Sequence, residues 1–526
     1  MSTVTFPGPG RWVTVRRHRI ALTLAAALLA GGVVGSTTEV STSSTDVRVS
    51  TEARGSTGVL PEAGDSQGPP QLHRRGRWLV DPQGRVVIVH GLNLVYKRAP
   101  YAPPNSLTGF RPADARWLAR HGFNGARIGT LWAGLTPDRA GVADPAYLKK
   151  WQRVIDLLAN QKIWMQLDMH QDQWHETYGG EGVPDWAVHR PAPFNLTPPV
   201  TAPFPTGYWL PELSTLFDNF WANKDGLLDD WVAAWEVAVK RWSDQPYLMG
   251  YDLINEPWMG LEWPGCLLGG CLPSYAAELQ PAMEKATRAI RRLDGRNIVW
   301  WEPQQFAGGQ PVDTAFTPMR GERQLGFSWH SYCPDVFLES QGIPGGDTEN
   351  CWGFAEGRQR HALEQSRTMK AVPMMSEWGA TDNVRAIHID ADVADRFLMG
   401  WTHWAYKFWN DPTTADNSQG LFRDDRSLSS AKQDKVRTLV RTYAQAIAGT
   451  PLQMSFDTLT GAFRFRYRPD RRITAPTEIF VSPVHYPHGY RVIVEHGRVV
   501  SQSKRHLSVR PTSDRVVTVQ VVRRTA

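Results

Sequence analysis

Short apolar segments alternate with amphipathic ones along most of the chain, beginning near residue 76. The amphipathic segments, such as 145–161, 226–243 and 274–293, have the length and periodicity of helices. The apolar segments are nearly continuous runs, as expected of strands that are buried on both faces. These predicted strands lie at 85–94, 123–129, 162–170, 248–256, 297–304, 325–332, 371–378 and 400–409. Eight strand–helix repeats predict the α/β class and a (β/α)8 TIM barrel.

The pattern changes after a predicted helical stretch at 429–448. Segments such as FRFRYR, TEIFVSP and RVVTVQVVRR alternate between apolar and polar residues, with turn residues between them. A period of two predicts antiparallel strands with one buried face. We therefore predict a catalytic barrel domain at 76–449 and a small antiparallel β-sandwich domain at 450–526.

The N-terminal part of the chain does not follow the barrel pattern. Arg16, Arg17 and Arg19 precede an apolar stretch at 20–35 that ends in small residues, which is typical of a secretory signal. An uncleaved membrane anchor is the alternative, although the stretch is shorter than the roughly 20 residues that span a bilayer. We predict a signal peptide at 1–36, a flexible Ser/Thr/Gly/Pro-rich leader at 37–75, and a secreted, extracellular protein.

Export permits disulfide bonds, and the chain has four cysteines. They allow three pairings. We favour Cys266–Cys271 and Cys333–Cys351, because each pair closes a short loop. Metal binding is the alternative, but the spacing matches no zinc pattern.

Charge is distributed unevenly along the chain. Residues 451–526 carry 13 Lys or Arg against five Asp or Glu, whereas the net charge of residues 37–450 is −6. An acidic body does not fit a nucleic-acid-binding protein, so we expect no nucleic-acid partner. Ordinary solvated charge is the favoured interpretation of the basic C-terminal part, and contact with an anionic membrane surface is the alternative. We expect a monomer.

Polar and aromatic side chains stand at the ends of the predicted strands, where barrel enzymes place their chemistry. These residues are Arg127, Asp168, His170, Asn255, Glu256, His330, Tyr332, Glu377 and Trp409. Glu256 ends the fourth strand and Glu377 the seventh, so the two face each other across the barrel mouth. Two carboxylates about 5–5.5 Å apart suit retaining glycoside hydrolysis, with one as acid and the other as nucleophile. A buried ion pair for each, with Arg127 as a partner, is the alternative.

The segments LINEP (253–257) and MSEWG (375–379) resemble the acid/base and nucleophile signatures of glycoside hydrolase family 5, a retaining family with a TIM barrel. The resemblance covers residues 76–445. It implies that Glu256 is the acid/base and Glu377 the nucleophile, and that no metal or cofactor is needed. It also implies roles for the surrounding residues: Asn255 at the sugar 2-hydroxyl, Arg127, Tyr332 and His330 around Glu377, and His170 and Trp409 at the sugar.

Three further segments resemble the endoglycoceramidase group, whose members release an intact oligosaccharide from ceramide. They are HGLNLVYKRAPY (90–101), GFNGARIGTLWAGLTP (122–137) and LDMHQDQW (167–174). The resemblance implies that Lys97, Asp168 and Asp172 contact the sugar or the polar head of ceramide. Because a strand has a period of two, Asp168 and His170 should share a face.

Two loops rich in aromatic residues, 173–217 and 258–271, suit an apolar aglycone, or else a stacking wall for a polysaccharide. Our hypothesis is a secreted retaining β-glycosidase that cuts glycosphingolipids between oligosaccharide and ceramide by double displacement. A β-glucosidase for glucosylceramide or sterol glucosides, and an endo-β-glucanase or mannanase, are alternatives with the same chemistry. A non-catalytic glycan- or lipid-binding barrel is the remote alternative.

Overall fold

The computed structural model describes residues 70–309, 312–340, 347–414 and 416–524. The predicted signal peptide at 1–36 lies outside the described residues, as does the predicted leader up to residue 69. Within the described ranges, no helix combines the length and apolar character needed to cross a membrane.

Eight parallel strands close into a barrel in chain order, with the eighth paired to the first. Apart from Gly400, every residue in them is buried, which explains the continuous apolar runs in the sequence. The predicted TIM barrel is therefore confirmed. The strands are β1 (His90–Leu94), β2 (Gly125–Gly129), β3 (Trp164–Asp168), β4 (Leu248–Asp252), β5 (Ile298–Trp301), β6 (Leu325–Ser331), β7 (Val372–Trp378) and β8 (Gly400–His403).

Amphipathic helices alternate with the barrel strands. Pro145–Ala159 is typical: the Asp144 side chain accepts the Ala146 N–H at its start, and the helix buries Trp151 and Leu158. The predicted helix at 274–293 is divided by a π-helical turn at Tyr275–Leu279. The described α-helices are Pro112–Arg120, Trp132–Leu135, Pro145–Ala159, Pro211–Trp221, Leu227–Trp242, Trp263–Gly269, Leu272–Ser274, Gln280–Arg291, Phe306–Gly309, Pro334–Ser340, Asn350–Met369, Val384–Phe397 and Gln433–Leu439.

Two antiparallel sheets form the C-terminal part of the described chain. Their strands are β9 (Tyr443–Ile447), β10 (Gly449–Phe456), β11 (Phe463–Pro469), β12 (Thr477–Phe480), β13 (Tyr490–Glu495), β14 (Gly497–Gln502), β15 (His506–Pro511) and β16 (Val517–Arg523). Three short N-terminal strands join them: His73–Arg75, Trp78–Val80 and Val86–Val87. One sheet has four strands in the order β10-β11-β16-β13, and the other has seven, in which the three N-terminal strands precede β9-β12-β15-β14.

Two predicted elements differ from the structure in more than their ends. The helix predicted at 429–448 is wrong beyond Leu439, because β9 pairs with Val86–Val87 and with β12. The strand predicted at 85–94 is two strands, of which Val86–Val87 belongs to the seven-stranded sheet and β1 to the barrel. A short apolar run is compatible with more than one element, so long-range pairing decided both cases.

Both predicted disulfide bonds are confirmed. Cys266 and Cys271 are bonded, with Cα atoms 4.4 Å apart, in the loop that follows β4. Cys333 and Cys351 are bonded, with Cα atoms 5.5 Å apart, and connect the end of β6 to the helix Asn350–Met369.

Candidate active site

Two glutamates lie side by side at the C-terminal end of the barrel. Glu377 is the penultimate residue of β7. Glu256 follows the end of β4 by four residues and has a φ of +43°. Both are buried, and one oxygen of each carboxylate lies within 4.8 Å of the other. This spacing suits the retaining geometry and is too short for the separation of about 6.5–9.5 Å in inverting enzymes.

The Glu377 carboxylate accepts a hydrogen bond on each oxygen. Arg127 Nη1 donates to Oε2 at 3.0 Å, and the Tyr332 hydroxyl donates to Oε1 at 2.6 Å. Burial raises the pKa of Glu377, His330 and Arg127 oppose the rise, and the neighbouring Glu256 carboxylate adds to it. The guanidinium and the hydroxyl therefore hold the Glu377 carboxylate in one orientation.

The Glu256 carboxylate contacts two side chains. His330 Nδ1 lies 2.8 Å from Oε1, and Gln305 Nε2 donates to Oε2 at 3.1 Å. Burial alone would lower the pKa of His330, but the carboxylates of Glu302 and Glu377 raise it well above its ordinary value. These carboxylates favour the protonated imidazole, whose Nδ1 is placed to donate to Glu256 Oε1.

Arg127 is fully buried at the centre of the site. Burial alone would lower the pKa of its guanidinium, but the carboxylates around it raise the pKa further above its usual range. Its three nitrogens lie close to six oxygens, of which five accept hydrogen bonds and one, Asp168 Oδ1, is an ion-pair partner; no lysine could match this spread. These are Asp252 (3.0 Å), Asn93 (3.3 Å), Glu377 (3.0 Å), Asn255 (3.0 Å), Asp168 (2.9 Å) and Glu302 (2.8 Å).

A second buried cation, Lys97, lies in a neighbouring cluster. Its ammonium donates to Asp172 Oδ2 and to Thr413 Oγ1, the latter at 2.7 Å. Asp411 lies 3.4 Å and Glu181 3.7 Å from the same nitrogen. Burial alone would raise the pKa of Asp172, but Lys97 and the nearby imidazole lower it below its usual value. The cluster thus holds an ammonium among three carboxyl groups.

Asp168 connects the two clusters. It pairs with Arg127 through Oδ1 and with His170 Nδ1 through Oδ2, the latter at 2.7 Å. His170 Nε2 in turn lies 3.5 Å from Asp172. Burial alone would lower the pKa of His170, but Asp168 raises it to about 10. As predicted, Asp168 and His170 lie together, and Asp172 reaches the same cluster from the loop after β3.

The aromatic ring next to this cluster belongs to Trp404. It lies parallel to His170, with ring centroids 5.3 Å apart, and Lys97 Nζ is 4.6 Å from its centroid. Trp409, which the sequence placed at the end of the eighth strand, lies beyond β8, with its ring against Tyr96. A sugar contact by Trp409 stays a prediction.

The sequence analysis missed several residues of the site, among them Trp404, Glu181, Glu302 and Gln305. Glu302 directly follows β5 in the segment WWEPQ, at the position where other strands carry the predicted residues, so a signal was present. Glu181 lies in a loop without periodicity, and burial raises its pKa well above the usual value.

Aromatic side chains from the two predicted loops meet on the Glu256 side of the site. Trp209 from the first loop stacks on Trp263 from the second, with centroids 6.0 Å apart. Trp258 contacts both Trp263 and Phe306, and Phe306 follows Gln305, the donor to Glu256. We call Trp209, Trp258, Trp263 and Phe306 the aromatic platform.

Comparison with known proteins agrees with this architecture. The family model "Cellulase (glycosyl hydrolase family 5)" matches residues 111–410, and "Glycoside hydrolase family 5 C-terminal domain" matches 441–521. The chain is 34% identical over 436 residues to endoglycoceramidase I of Rhodococcus hoagii (strain 103S), covering 82% of this chain and 83% of that protein. It is 27% identical over 446 residues to an endoglycoceramidase of Hydra vulgaris, covering 78% and 81%.

Solved structures give the same result. The lactosyl-enzyme intermediate of endo-glycoceramidase II from Rhodococcus sp. matches with a TM-score of 0.68 and 25% identity, over 85% of this chain and 100% of that one. Sterylglucosidase 1 of Cryptococcus neoformans, at 15% identity and a TM-score of 0.67 over 86% and 96%, shares the fold. From the family matches and the paired glutamates, the chain belongs to glycoside hydrolase family 5.

Proposed function

We propose that this protein is a retaining endo-β-glycosidase that hydrolyses the bond between oligosaccharide and ceramide in glycosphingolipids. The observation that carries the proposal is the juxtaposition of Glu256 and Glu377 with an aromatic platform on the Glu256 side. A general acid protonates the leaving group, so an apolar surface beside the acid suits an apolar leaving group. The relatives named endoglycoceramidase support this choice of aglycone.

In the first step, a Glu377 oxygen attacks the anomeric carbon of the sugar linked to ceramide. The bond from that carbon to the ceramide oxygen breaks, and the oxygen takes the proton of Glu256. Ceramide leaves as the free alcohol, and the glycan stays bonded to Glu377. Arg127 and Tyr332 hold the Glu377 carboxylate in position throughout.

In the second step, the Glu256 carboxylate takes a proton from water, and the resulting hydroxide attacks the anomeric carbon. The bond to Glu377 breaks, which frees the glycan with its β configuration retained and restores both glutamates. Asn255 is fixed for a contact to the sugar 2-hydroxyl, because its Oδ1 accepts from Arg127 and its Nδ2 donates to the Gln171 carbonyl.

The Lys97 cluster is suited to hold the glycan. Lys97, Asp172 and His170 offer both donors and acceptors, and the Trp404 ring offers a flat apolar face for a sugar ring. These residues therefore select the sugar side of the substrate, whereas the aromatic platform selects the lipid side.

A product analysis tests the substrate proposal. Protein without residues 1–36 is incubated with lactosylceramide, glucosylceramide and a soluble cello-oligosaccharide in mild detergent, and the products are identified by mass. We expect intact lactose and ceramide, with Glu377→Gln as the inactive control. Release of glucose from glucosylceramide alone would favour the β-glucosidase alternative, which distant glucosylceramidase relatives also suggest. Cleavage of the cello-oligosaccharide alone would refute the lipid assignment.

We further propose that the protein is a secreted monomer whose strands β13 and β14 contact anionic membrane surfaces. Ile493, Val499 and Val500 are 51%, 38% and 39% exposed, and the exposed Arg491 and Arg498 lie on the same two strands. Exposed apolar side chains with arginines suit a bilayer that contains anionic lipid.

Sedimentation with vesicles tests this contact. Wild type should sediment with vesicles of phosphatidylcholine and phosphatidylglycerol, and less so with phosphatidylcholine alone. The double variant Arg491→Glu/Arg498→Glu should stay in the supernatant, whereas the matched variant Arg464→Glu/Arg468→Glu on β11 should sediment normally. Equal behaviour of the two variants would contradict the assignment. Light scattering of the purified protein measures the oligomeric state, and export of full-length chain from a bacterial host measures secretion.

A further inference from the structure

Glu302 is a buried carboxylate, 1% exposed, that contacts the groups around the two glutamates. Its Oε1 accepts from Arg127 Nη2 at 2.8 Å and lies 3.3 Å from His330 Nε2. Its Oε2 accepts the backbone N–H of Glu256 at 2.8 Å. Glu302 therefore contacts one group that holds the nucleophile, one that contacts the acid/base, and the backbone of the acid/base itself.

The backbone of Glu256 needs such support. A φ of +43° lies in the left-handed region, which residues other than glycine rarely adopt. Such a conformation persists when its surroundings fix it. Glu302 binds the N–H of Glu256, and Gln171 Nε2 donates to the carbonyls of Asn255 and Glu256 at 2.9 and 3.3 Å. The peptide groups on both sides of the strained residue are thus held by buried side chains.

Glu302 is surrounded by a guanidinium, a backbone N–H and an imidazole nitrogen. Burial alone would raise the pKa of Glu302, but His330 and Arg127 lower it to about 2, so it is ionised at any working pH. A glutamine would place an amide N–H₂ against either Arg127 or the Glu256 N–H, whichever way it turned. The position therefore requires a carboxylate.

The two sides of the site depend on Glu302 to different extents. Arg127 also pairs with Asp168 and Asp252, at 2.9 and 3.0 Å, so the nucleophile keeps an anchored guanidinium without Glu302. The contacts of Glu302 with the Glu256 N–H and with His330 both lead to the acid/base. Loss of Glu302 should therefore displace Glu256 more than Glu377.

We propose that Glu302 is a positioning residue that holds the acid/base Glu256 in place through its backbone N–H and through His330. The proposal rests on the proposed function only in its assignment of Glu256 as acid/base. Glu302 lies on the floor of the site, and it acts on the reaction through Glu256.

Leaving-group dependence tests the proposal, because only a poor leaving group needs the acid. We would compare kcat/KM for lactosylceramide and for 2,4-dinitrophenyl β-lactoside in wild type, Glu302→Gln and Glu302→Asp. General acid catalysis contributes about 10²–10⁴-fold. Glu302→Gln should lose about 100-fold on lactosylceramide and less than about 5-fold on the dinitrophenyl substrate. Glu256→Ala should show the same signature, whereas Tyr332→Phe, which acts on the nucleophile, should lower both values alike.

Equal losses on the two substrates in the Glu302 variants would overturn the proposal. Thermal melting is measured beside the kinetics: if Glu302→Gln is unfolded, the shorter carboxylate of Glu302→Asp decides, and if both are unfolded, Glu302 is structural and the proposal fails. If wild type cleaves the dinitrophenyl lactoside but not lactosylceramide, the proposed substrate fails instead. Methylumbelliferyl β-lactoside, which has a poorer leaving group, then replaces lactosylceramide in the same comparison.

Discussion

Arg127 and Lys97 are buried cations at the barrel mouth, and they bind the surrounding carboxyl groups in different ways. Arg127 donates through its planar fork to five acceptors and forms an ion pair with Asp168. Lys97 is a point charge near Asp172, Asp411 and Glu181, and both oxygens of Glu181 are without a hydrogen-bond partner among the described residues. We therefore expect the first cluster to fix geometry, as transition-state contacts require, and the second to offer polar groups to a sugar.

Substitution of Arg127 should have the largest effect on activity. Arg127→Lys keeps the charge but loses the fork, and so it leaves several buried acceptors unpaired. We expect kcat/KM to fall about 1,000-fold on lactosylceramide and on the dinitrophenyl lactoside alike. We also expect the free energy of unfolding to fall by about 2 kcal/mol or more in denaturant titration.

The matched control for Arg127→Lys is Arg153→Lys, on the helix Pro145–Ala159. The Arg153 guanidinium donates to the backbone carbonyls of Phe110 and Pro103. This variant should keep kcat/KM within about 3-fold of wild type. If Arg127→Lys were equally mild, charge alone would explain the role of Arg127.

Lys97→Met should have the next largest effect. Without the ammonium, the pKa of Asp172 rises, because Lys97 is the main charge that lowers it. We expect kcat/KM on lactosylceramide to fall about 100-fold through loss of sugar binding and of charge balance. A double-mutant cycle with Asp172→Asn checks the cause: the double variant should lose less than the product of the two single losses. Strict additivity would mean that the pair is not coupled.

The stability of the second cluster should depend on alkaline pH. The pKa of His170 is about 10 in the folded state, above its ordinary value of 6.5. A raised pKa gives a contribution that is complete below about pH 6.5 and is lost as pH rises towards 10. The free energy of unfolding should therefore decline over this window, and His170→Asn should have a shallower slope than wild type. Identical slopes would contradict the assigned protonation of His170.

The smallest effect should come from Glu181→Gln. Because burial raises the pKa of Glu181 well above its usual value, the neutral acid is favoured at this position, and an amide of the same shape replaces it. We expect kcat/KM within about 3-fold of wild type and stability within about 1 kcal/mol. This Glu→Gln pair, mild at 181 and severe at 302, distinguishes a neutral buried carboxyl from an ionised one. A severe loss at 181 would show that it is charged.

The parts of the fold and site that the sequence could predict are those with a local period. Barrel strands read as apolar runs because they are buried on both faces, and Arg127, Asp168 and Glu377 follow from the strand ends. The end of the eighth strand could not be located, since the aromatic run GWTHWAYKFW continues past His403, where the strand ends. Trp404 directly follows that end and Trp409 lies further along the chain, and the sugar contact of Trp409 stays a prediction.

Features that depend on long-range contacts were beyond sequence analysis. The charge network of Glu302 joins residues from four strands that are far apart in the chain. The segment that became β9 has an apolar pattern compatible with helix, and only pairing with Val86–Val87 and β12 makes it a strand. The raised pKa of Glu181 follows from burial, which a loop sequence does not encode.

The stereochemistry of the sugar first released from lactosylceramide is the decisive test of double displacement by Glu377 and Glu256. Proton NMR, recorded within the first minutes of reaction and before mutarotation, resolves the two anomers of lactose. Double displacement by Glu377 and Glu256 predicts intact β-lactose as the first product, with the α anomer appearing later. Initial α-lactose, or galactose and glucose in place of the disaccharide, would contradict the account.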